Sequence, residues 1–261
     1  CLLEAGGWGS SILFRAPAGG LLMLRDKPKF HNWAFQTIPQ KGLNGRKGYQ
    51  PRGKALGGSS AINAMIYIRG QKEDYNEWAK LGNDGWGWKD VLPYFIKSEN
   101  QERGKSEFHG DDGPINVEDQ RIQLDILDVF MNAAEEIGIP KVNDFNKGDN
   151  FGCGYFQVTE KKGLRCSSAV GYLNPIKKRK NLKIITNAHI KNIDFKNKKA
   201  IKVNYWNNDK LLSVKANKEI ILCAGTIGSP HILQASGIGP AKLLKDNNIE
   251  AVSYTHLRAH E

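Results

Sequence analysis

Cysteine is scarce and scattered. Only Cys1, Cys153, Cys166 and Cys223 occur in 261 residues, with no C-x-x-C pair and no histidine at zinc spacing. That pattern excludes a disulfide framework and a thiolate metal centre. No metal is expected, and a reducing compartment, the cytoplasm, is the expected setting. Acidic residues are also in deficit, 27 against 38 Lys and Arg, which gives a formal charge of +11. The lysines are nevertheless spread over almost every segment instead of being gathered with aromatics on one element, which argues against nucleic acid as a partner. The one dense run, KKRK at 177–180, reads as a solvated helix end before the strand LKIIT, since cations suit the C-terminal end of a helix dipole. No stretch reaches the roughly 20 apolar residues of a membrane-spanning helix. Neither a signal peptide nor an internal repeat is visible. An initiator Met is absent, and CLLEAGG begins within what reads as a buried strand, so an upstream segment is expected.

With 40% hydrophobic and 25% charged residues, the chain is globular and long enough for one large core or two smaller ones. Residues 8–51 are irregular and rich in Gly, Pro and Lys, an excursion or lid. EDYNEWAKLG and WKDVLPYFIKSEN read as helices, with Trp88, Leu92 and Phe95 on one packing stripe. GPINVE reads as a short strand. IQLDILDVFMNAAEEIGIP places Ile122, Ile126, Phe130, Ala133 and Ile137 on one helical face, with Gly138 and Pro140 as stop signals. From 182 onward the period changes to two. HIKNIDF, AIKVNYW and LLSVKA, separated by KNKK and NNDK, predict an antiparallel meander that leads into KEIILCAG, a continuous apolar strand, and then a helix.

The chemistry concentrates in RGKALGGSSAINAMIYIRG, residues 52–70. Gly57 and Gly58 lack Cβ atoms, so a ligand can touch the backbone. Ser59 or Ser60 can cap a following helix, whose first turn would favour an anion such as phosphate. Asn63, one turn inside that helix, needs a hydrogen-bonding partner, which a polar heterocycle would supply. A capped core helix after a tight turn explains the same residues without any ligand. In IILCAGTIGSPHILQASGIG, a turn at Ala224 and Gly225 separates strand from helix, with Ser229 as N-cap and Pro230 at the first helical position. In LLEAGG, Glu4 is an acid at a strand tip, where dinucleotide-binding folds hold ribose hydroxyls. The glycine turn that would precede it lies before residue 1.

These motifs together resemble the signature motifs of the glucose-methanol-choline (GMC) oxidoreductases, choline dehydrogenase-like members above all. EAGG, WAFQTIP and NEWAKLGNDGWGWKDVLPYFIKSE fit the same order, and the likeness extends over roughly residues 2–250. The resemblance implies FAD as cofactor. Glu4 would take the adenosine ribose; Gly57, Gly58 and Ser59 would pass the pyrophosphate and flavin; Asn63, Ala64 and Met65 would border the isoalloxazine ring. Ile190 would meet the adenine through its backbone, and Ala224 and Gly225 would form the flavin-side turn. Some members attach FAD through a histidine after the serine pair. Ala61 stands there, which implies noncovalent FAD.

The implied fold is α/β, an incomplete Rossmann-type FAD-binding domain with an α+β substrate domain. Residues 1–105 and 166–250 would form the first, residues 106–165 part of the second, and 251–261 a non-native tail in which His256 and His260 carry no role. The implied activity is oxidation of an alcohol, choline-like or another primary alcohol, by hydride transfer to flavin N5, with the electron acceptor open. The family's catalytic histidine region has no counterpart in the chain, so no catalytic residue is assigned. His31, His109, His189 and His231 lie outside the motifs and read as structural or exposed. A fragment of this kind would be inactive alone and would carry an exposed apolar edge. Two other readings compete. GGSSA approximates the G-x-S-x-G elbow of a serine hydrolase, with Ser59 as nucleophile, although YQPRGKAL before it is polar. A non-catalytic basic binding protein rests on charge alone.

Overall fold

A computed structural model describes residues 1–25 and 31–252. His256, His260 and most of the 251–261 tail lie outside the described residues. Contacts divide the chain into two compact units, residues 1–7 with 183 onward, and residues 8–182. The first strand, β1 (Leu2–Leu3), belongs to the former.

The unit of residues 8–182 opens with a 3-10 turn at Ile12–Phe14 and α1 (Gly19–Met23), whose Phe14 and Met23 share a core with Ala55, Ala61 and Ile62. Inside the predicted excursion, β2 (Phe35–Gln36) and β3 (Tyr49–Gln50) pair antiparallel. Buried Asn32 organises this stretch. Its amide nitrogen donates to the Met23 carbonyl at 3.2 Å and to Tyr49 Oη at 2.7 Å, and its oxygen accepts the Ala34 and Arg52 N–H groups at 2.9 and 3.0 Å. A satisfied buried amide gives order where hydrophobic period gives none.

After β4 (Ile66–Tyr67) come the two predicted helices, α2 (Lys72–Lys80) and α3 (Trp88–Ser98). Tyr75 meets Trp88 and Phe95 with ring centroids 5.7 Å apart in both cases, so the aromatic stripe is packing. A four-stranded sheet runs β4-β7-β6-β5, with β5 (Glu99–Gln101) parallel to β6 (Ile115–Asp119) and β7 (Gln157–Val158) antiparallel to both β6 and β4. The helix α4 (Asp125–Glu136) stops where predicted. Gly138, at φ +87°, donates to the Glu135 carbonyl and Ile139 to that of Ala134, both at 3.0 Å, a Schellman ending. The predicted apolar face, however, lies uncovered. Ile122 precedes the helix, and Ile126, Phe130 and Ile137 are all more than 60% exposed, as is much of Ala133, while Ala134 is the buried residue. Periodicity fixes which face is apolar but not what lies over it, and no element among the described residues does. The hairpin of β8 (Glu160–Lys161) and β9 (Leu164–Arg165) and a π-helical turn at Ala169–Leu173 complete the unit, and the exposed KKRK run follows.

In the other unit, β10 (Ile184–Ile185) pairs parallel with β1. The meander forms as predicted from β11 (His189–Lys196), β12 (Lys199–Asn207) and β13 (Lys210–Lys215). Asn197–Lys198 and Asn208–Asp209 all take positive φ, the geometry that matches strand twist in two-residue hairpins. The helix α5 (Gly225–Ala235) packs on β11, where Ser236 Oγ accepts the Ile193 N–H at 2.8 Å, and α6 (Ala241–Asp246) follows. One prediction fails here. KEIILCAG is not a strand, because residues 219–223 join no ladder and Ile221 is 75% exposed. A strand needs a partner as well as a pattern, and among the described residues this parallel sheet has two strands. The result is an exposed apolar edge. Among the described residues no helix is long and apolar enough to cross a membrane.

Candidate functional site

The glycine-serine motif is a shelf and not the start of a helix. A single 3-10 turn at Gly58–Ala61 follows Gly57 and ends at Ile62. Gly57 at φ +93°, Gly58 at +53° and Met65 at +64° turn the chain repeatedly, so helical propagation stops and no long helix dipole develops. A Cβ at Gly57 would lie 3.2 Å from that of Ala169, whereas one at Gly58 would meet nothing within 4 Å. Gly57 is thus packed against protein, and Gly58 presents bare backbone to open space.

The serines act as struts instead of helix caps. Ser59 Oγ accepts the Gly53 N–H at 3.1 Å. Ser60 Oγ donates to the Gly57 carbonyl at 2.5 Å and accepts the Ser168 N–H at 3.0 Å, and Ser168 Oγ donates to the same carbonyl at 3.2 Å. Below the shelf, Ala61 and Ile62 are each 2% exposed, anchoring it in the core. Above it, Ser59, Asn63 and Ala64 are exposed. Met65 turns back inside, its carbonyl accepting the Thr159 N–H at 2.8 Å. A left-handed methionine costs on the order of 1–2 kcal/mol, and the Thr159 tie and the Asn63 side chain hold it there.

Asn63 already has protein partners. Its Oδ1 accepts Arg165 Nη1 at 2.8 Å and the Met65 N–H at 3.1 Å. Arg165 is 1% exposed, and Nη1 also donates to the Ser60 carbonyl at 3.2 Å, while Nε and Nη2 are buried without a partner. Burial pushes its guanidinium below the usual range, opposed by the charge of Glu160. Sequence reasoning missed Arg165 because GLRCSSA has no spacing signal of its own, although a buried strand-end arginine is the sort of residue that a serine-rich turn can seat.

The remaining candidates belong to the other unit. Glu4 follows β1, and its Oε1 accepts the Gly6 N–H at 2.7 Å. Its N–H donates to the Ile185 carbonyl at 2.9 Å, and its own carbonyl accepts the Ala188 N–H at 2.8 Å. Ile190 is itself paired with Tyr205, and a bulge follows it, since Asn192 already faces Asn204 and Lys191 is left out of the ladder. Ala224 and Gly225 are exposed at the start of α5; Gly225 takes φ +81°, and a Cβ there would meet open space. Ser229 and Pro230 lie inside the helix, not at its start. Ser229 Oγ reaches back to accept the Ala224 N–H at 3.0 Å, so the cap works from within the first turns. On the shelf, open space beside the Gly58 backbone and the outward amide of Asn63 suit a ligand rich in hydrogen-bond acceptors.

A second cluster lies in the unit of residues 8–182. Buried Glu99 accepts from Arg69 Nη2 at 2.8 Å and bonds His109 Nδ1 at 2.9 Å, while His109 Nε2 bonds Asp144 at 2.9 Å. Burial alone would push His109 down, but its bonds to Asp144 and Glu99 and their charges outweigh it and raise the imidazole to about 9. Asp144 is likewise opposed by burial, yet the bonds from His109 and the Asn146 N–H hold it at about 2. Each histidine nitrogen is engaged by a carboxylate, so this is a structural ion network.

Residues 2–251 match the family described as GMC oxidoreductase. The chain belongs to the GMC oxidoreductases. It is 42% identical over 255 residues to an alcohol dehydrogenase [acceptor] of Pseudomonas putida, a match covering 97% of this chain and 46% of that protein. An oxygen-dependent choline dehydrogenase of Serratia proteamaculans is 40% identical, with 96% and 46% covered. Among solved structures, pyridoxine 4-oxidase from Mesorbium loti superposes with a TM-score of 0.90 at 28% identity, covering 96% of this chain and 49% of that one. An FAD-dependent oxidoreductase from Chaetomium thermophilum gives 0.87 at 32%, covering 96% and 45%. The chain therefore spans about half the length of the relatives it matches, and its fold is that of the FAD-binding GMC proteins. Membership supports FAD as the cofactor and an oxidoreductase assignment. It leaves the hydrolase reading without support, as does the position of Ser59 on a 3-10 turn into which no strand directly leads.

Proposed function

We propose that the protein carrying this chain is an oxidoreductase with noncovalent FAD that oxidises an alcohol, choline-like or another primary alcohol, at its CH–OH carbon. The observation that carries the reading is the outward edge of the shelf, where the bare backbone of Gly58, the exposed Ser59 and Ala64 and the amide of Asn63 face away from the core. In this reading Gly57, Gly58 and Ser59 pass the pyrophosphate and flavin, and Asn63, Ala64 and Met65 border the ring, with Met65 acting through its backbone. Glu4 holds the adenosine ribose, Ile190 meets the adenine, and Ala224 and Gly225 form the flavin-side turn. The division near 105 and 166 into FAD-binding and substrate-binding parts belongs to the same proposal, as does a cytoplasmic setting, which rests on the scattered free cysteines.

Noncovalent binding follows from position 61. Ala61 stands where some family members carry the attaching histidine, and it is 2% exposed, with no group to form a bond. Bound FAD would supply the hydride acceptor at N5. The chain's own residues 63–65 would border the ring, and buried Ala61 and Ile62 would keep water from beneath the shelf. None of the assigned residues is a base for the hydroxyl proton, so this stretch expressed alone is expected to give no turnover. The names of the relatives, choline dehydrogenase and alcohol dehydrogenase, support the substrate class.

Anaerobic mixing of the full-length protein with choline and with short primary alcohols tests this. At least one alcohol is expected to bleach the flavin's visible absorption. Bleaching by dithionite but by no alcohol would refute the substrate class.

A further inference from the structure

The amide of Asn63 has a fixed polarity, and one residue far along the chain fixes it. Arg165, on β9, reaches under the shelf so that Nη1 touches both the Ser60 carbonyl and Asn63 Oδ1, at 3.2 and 2.8 Å. A guanidinium offers donors and no acceptor. The Met65 N–H, the other group on the same atom at 3.1 Å, is also a donor. Two donors converging on one side-chain atom require that atom to be the amide oxygen. The amide nitrogen is therefore turned outward, at an exposed position and with no protein partner among the described residues.

We infer that Arg165 is a positioning residue for the cofactor, locking Asn63 so that its NH2 is presented as a hydrogen-bond donor to the acceptor-rich edge of the flavin ring. The inference rests on the FAD reading given above. The local structure accommodates Arg165 at a cost that packing alone does not explain. Its Nε and Nη2 are buried without partners, and buried polar atoms are rarely left so. An apolar side chain of similar volume would fill the same space without that penalty. Residue 20 is a glycine whose Cβ, if present, would lie 3.0 Å from Arg165 Nη2, so a second element leaves room for the guanidinium. The two bonds that Nη1 does make both go to the shelf, at Ser60 and Asn63. A lysine at 165 would keep the charge but offer a single compact ammonium in place of the rigid fork.

Asn63→Asp and Arg165→Met separate this role from a merely structural one. The Asn63→Asp variant keeps an acceptor for Arg165 and Met65, so the full-length apoprotein should fold with an unchanged or higher melting temperature. It has no outward donor, so FAD affinity, titrated by flavin fluorescence quenching, should fall about tenfold, the loss of one charge-free hydrogen bond at a buried ring edge. Arg165→Met should lose a similar factor and shift the flavin's visible band, with Arg165→Lys intermediate. The double variant should lose no more than the worse single one. If Arg165→Met does not fold, Asn63→Asp and Arg165→Lys still decide. Affinity within about twofold of wild type in Asn63→Asp, or in a folded Arg165 variant, overturns the inference. A wild-type protein that takes up no FAD overturns the underlying cofactor reading as well, and the two failures are told apart by that control.

Discussion

Replacing Glu99 with alanine is expected to destabilise the full-length protein by about 3–5 kcal/mol, a large share of the total stability of an ordinary domain. Glu99 is 0% exposed at the start of β5 and accepts from four directions: Arg69 Nη2 at 2.8 Å, His109 Nδ1 at 2.9 Å, Gln101 Nε2 at 3.2 Å and the Gly110 N–H at 3.3 Å. Arg69 is itself 4% exposed, donating onward to the Phe108 carbonyl at 2.7 Å. Without the carboxylate, the buried Arg69 guanidinium loses its ion partner and His109 Nδ1 loses its acceptor. Truncating one member of a buried pair is costly because the other stays charged and desolvated, whatever the net worth of the intact pair. A companion variant distinguishes the two quantities. Replacing Arg69 by Met together with Glu99 by Leu removes both charges, and it should cost less than Glu99→Ala alone. Denaturant unfolding of the holoenzyme checks both. A loss below about 1 kcal/mol for Glu99→Ala would show that the network has no such weight.

The same cluster sets a pH dependence whose sign follows from the geometry. His109 is raised from 6.5 to about 9 in the folded protein. The groups facing it are Glu99 from β5 and Asp144 from the 141–149 loop, with Arg69 bound to Glu99 and Lys147 3.7 Å from Asp144. A group whose folded pKa is raised contributes fully below its unfolded value, so the protonated imidazole stabilises below about pH 6.5 and that contribution is lost as pH rises to about 9. The amount is on the order of 3 kcal/mol. Asp144 behaves in the opposite sense. Its folded pKa, about 2, is depressed from 3.8, so its contribution is present above the unfolded value and lost as pH falls toward 2. Both are complete between roughly pH 4 and 6.5. Unfolding free energies at pH 6 and pH 9.5 should differ in the wild type, and His109→Gln should flatten the alkaline decline. An unchanged slope in that variant would contradict the assignment.

Much of the architecture could be read from residue pattern where local rules decide. The meander was legible because period-two strands alternate with Asn-rich turns that tolerate positive φ, and the end of α4 because Gly138 sits where a left-handed residue is required. Pattern misled where tertiary partners decide. KEIILCAG has the composition of a buried strand, but with no ladder beside it the segment stays unpaired. The α4 stripe is apolar as predicted, yet exposed. The shelf failed in a more local way. Serines after two glycines suggest a capped helix, whereas positive φ at Gly57, Gly58 and Met65 forbids one. The family match over residues 2–251 is untouched by that error, because it rests on the sequence and not on the local conformation. The buried groups were the least visible. Arg165 and Asn63 are 102 residues apart in sequence, and neither charge count nor period connects residues so distant. His109 reads as structural or exposed from sequence and is buried in the fold, where its two carboxylate partners come from separate segments that only the fold brings together.

The central claim of the proposed function is that the shelf at residues 57–65 binds FAD without a covalent bond. The direct measurement is the flavin content of the full-length protein before and after denaturation. The expected outcome is a yellow protein that releases an equimolar amount of FAD into the supernatant on unfolding, with Gly58→Val markedly depleted. A colourless protein that takes up no added FAD would contradict the claim, and colour that stays with the denatured polypeptide would contradict the role given to Ala61.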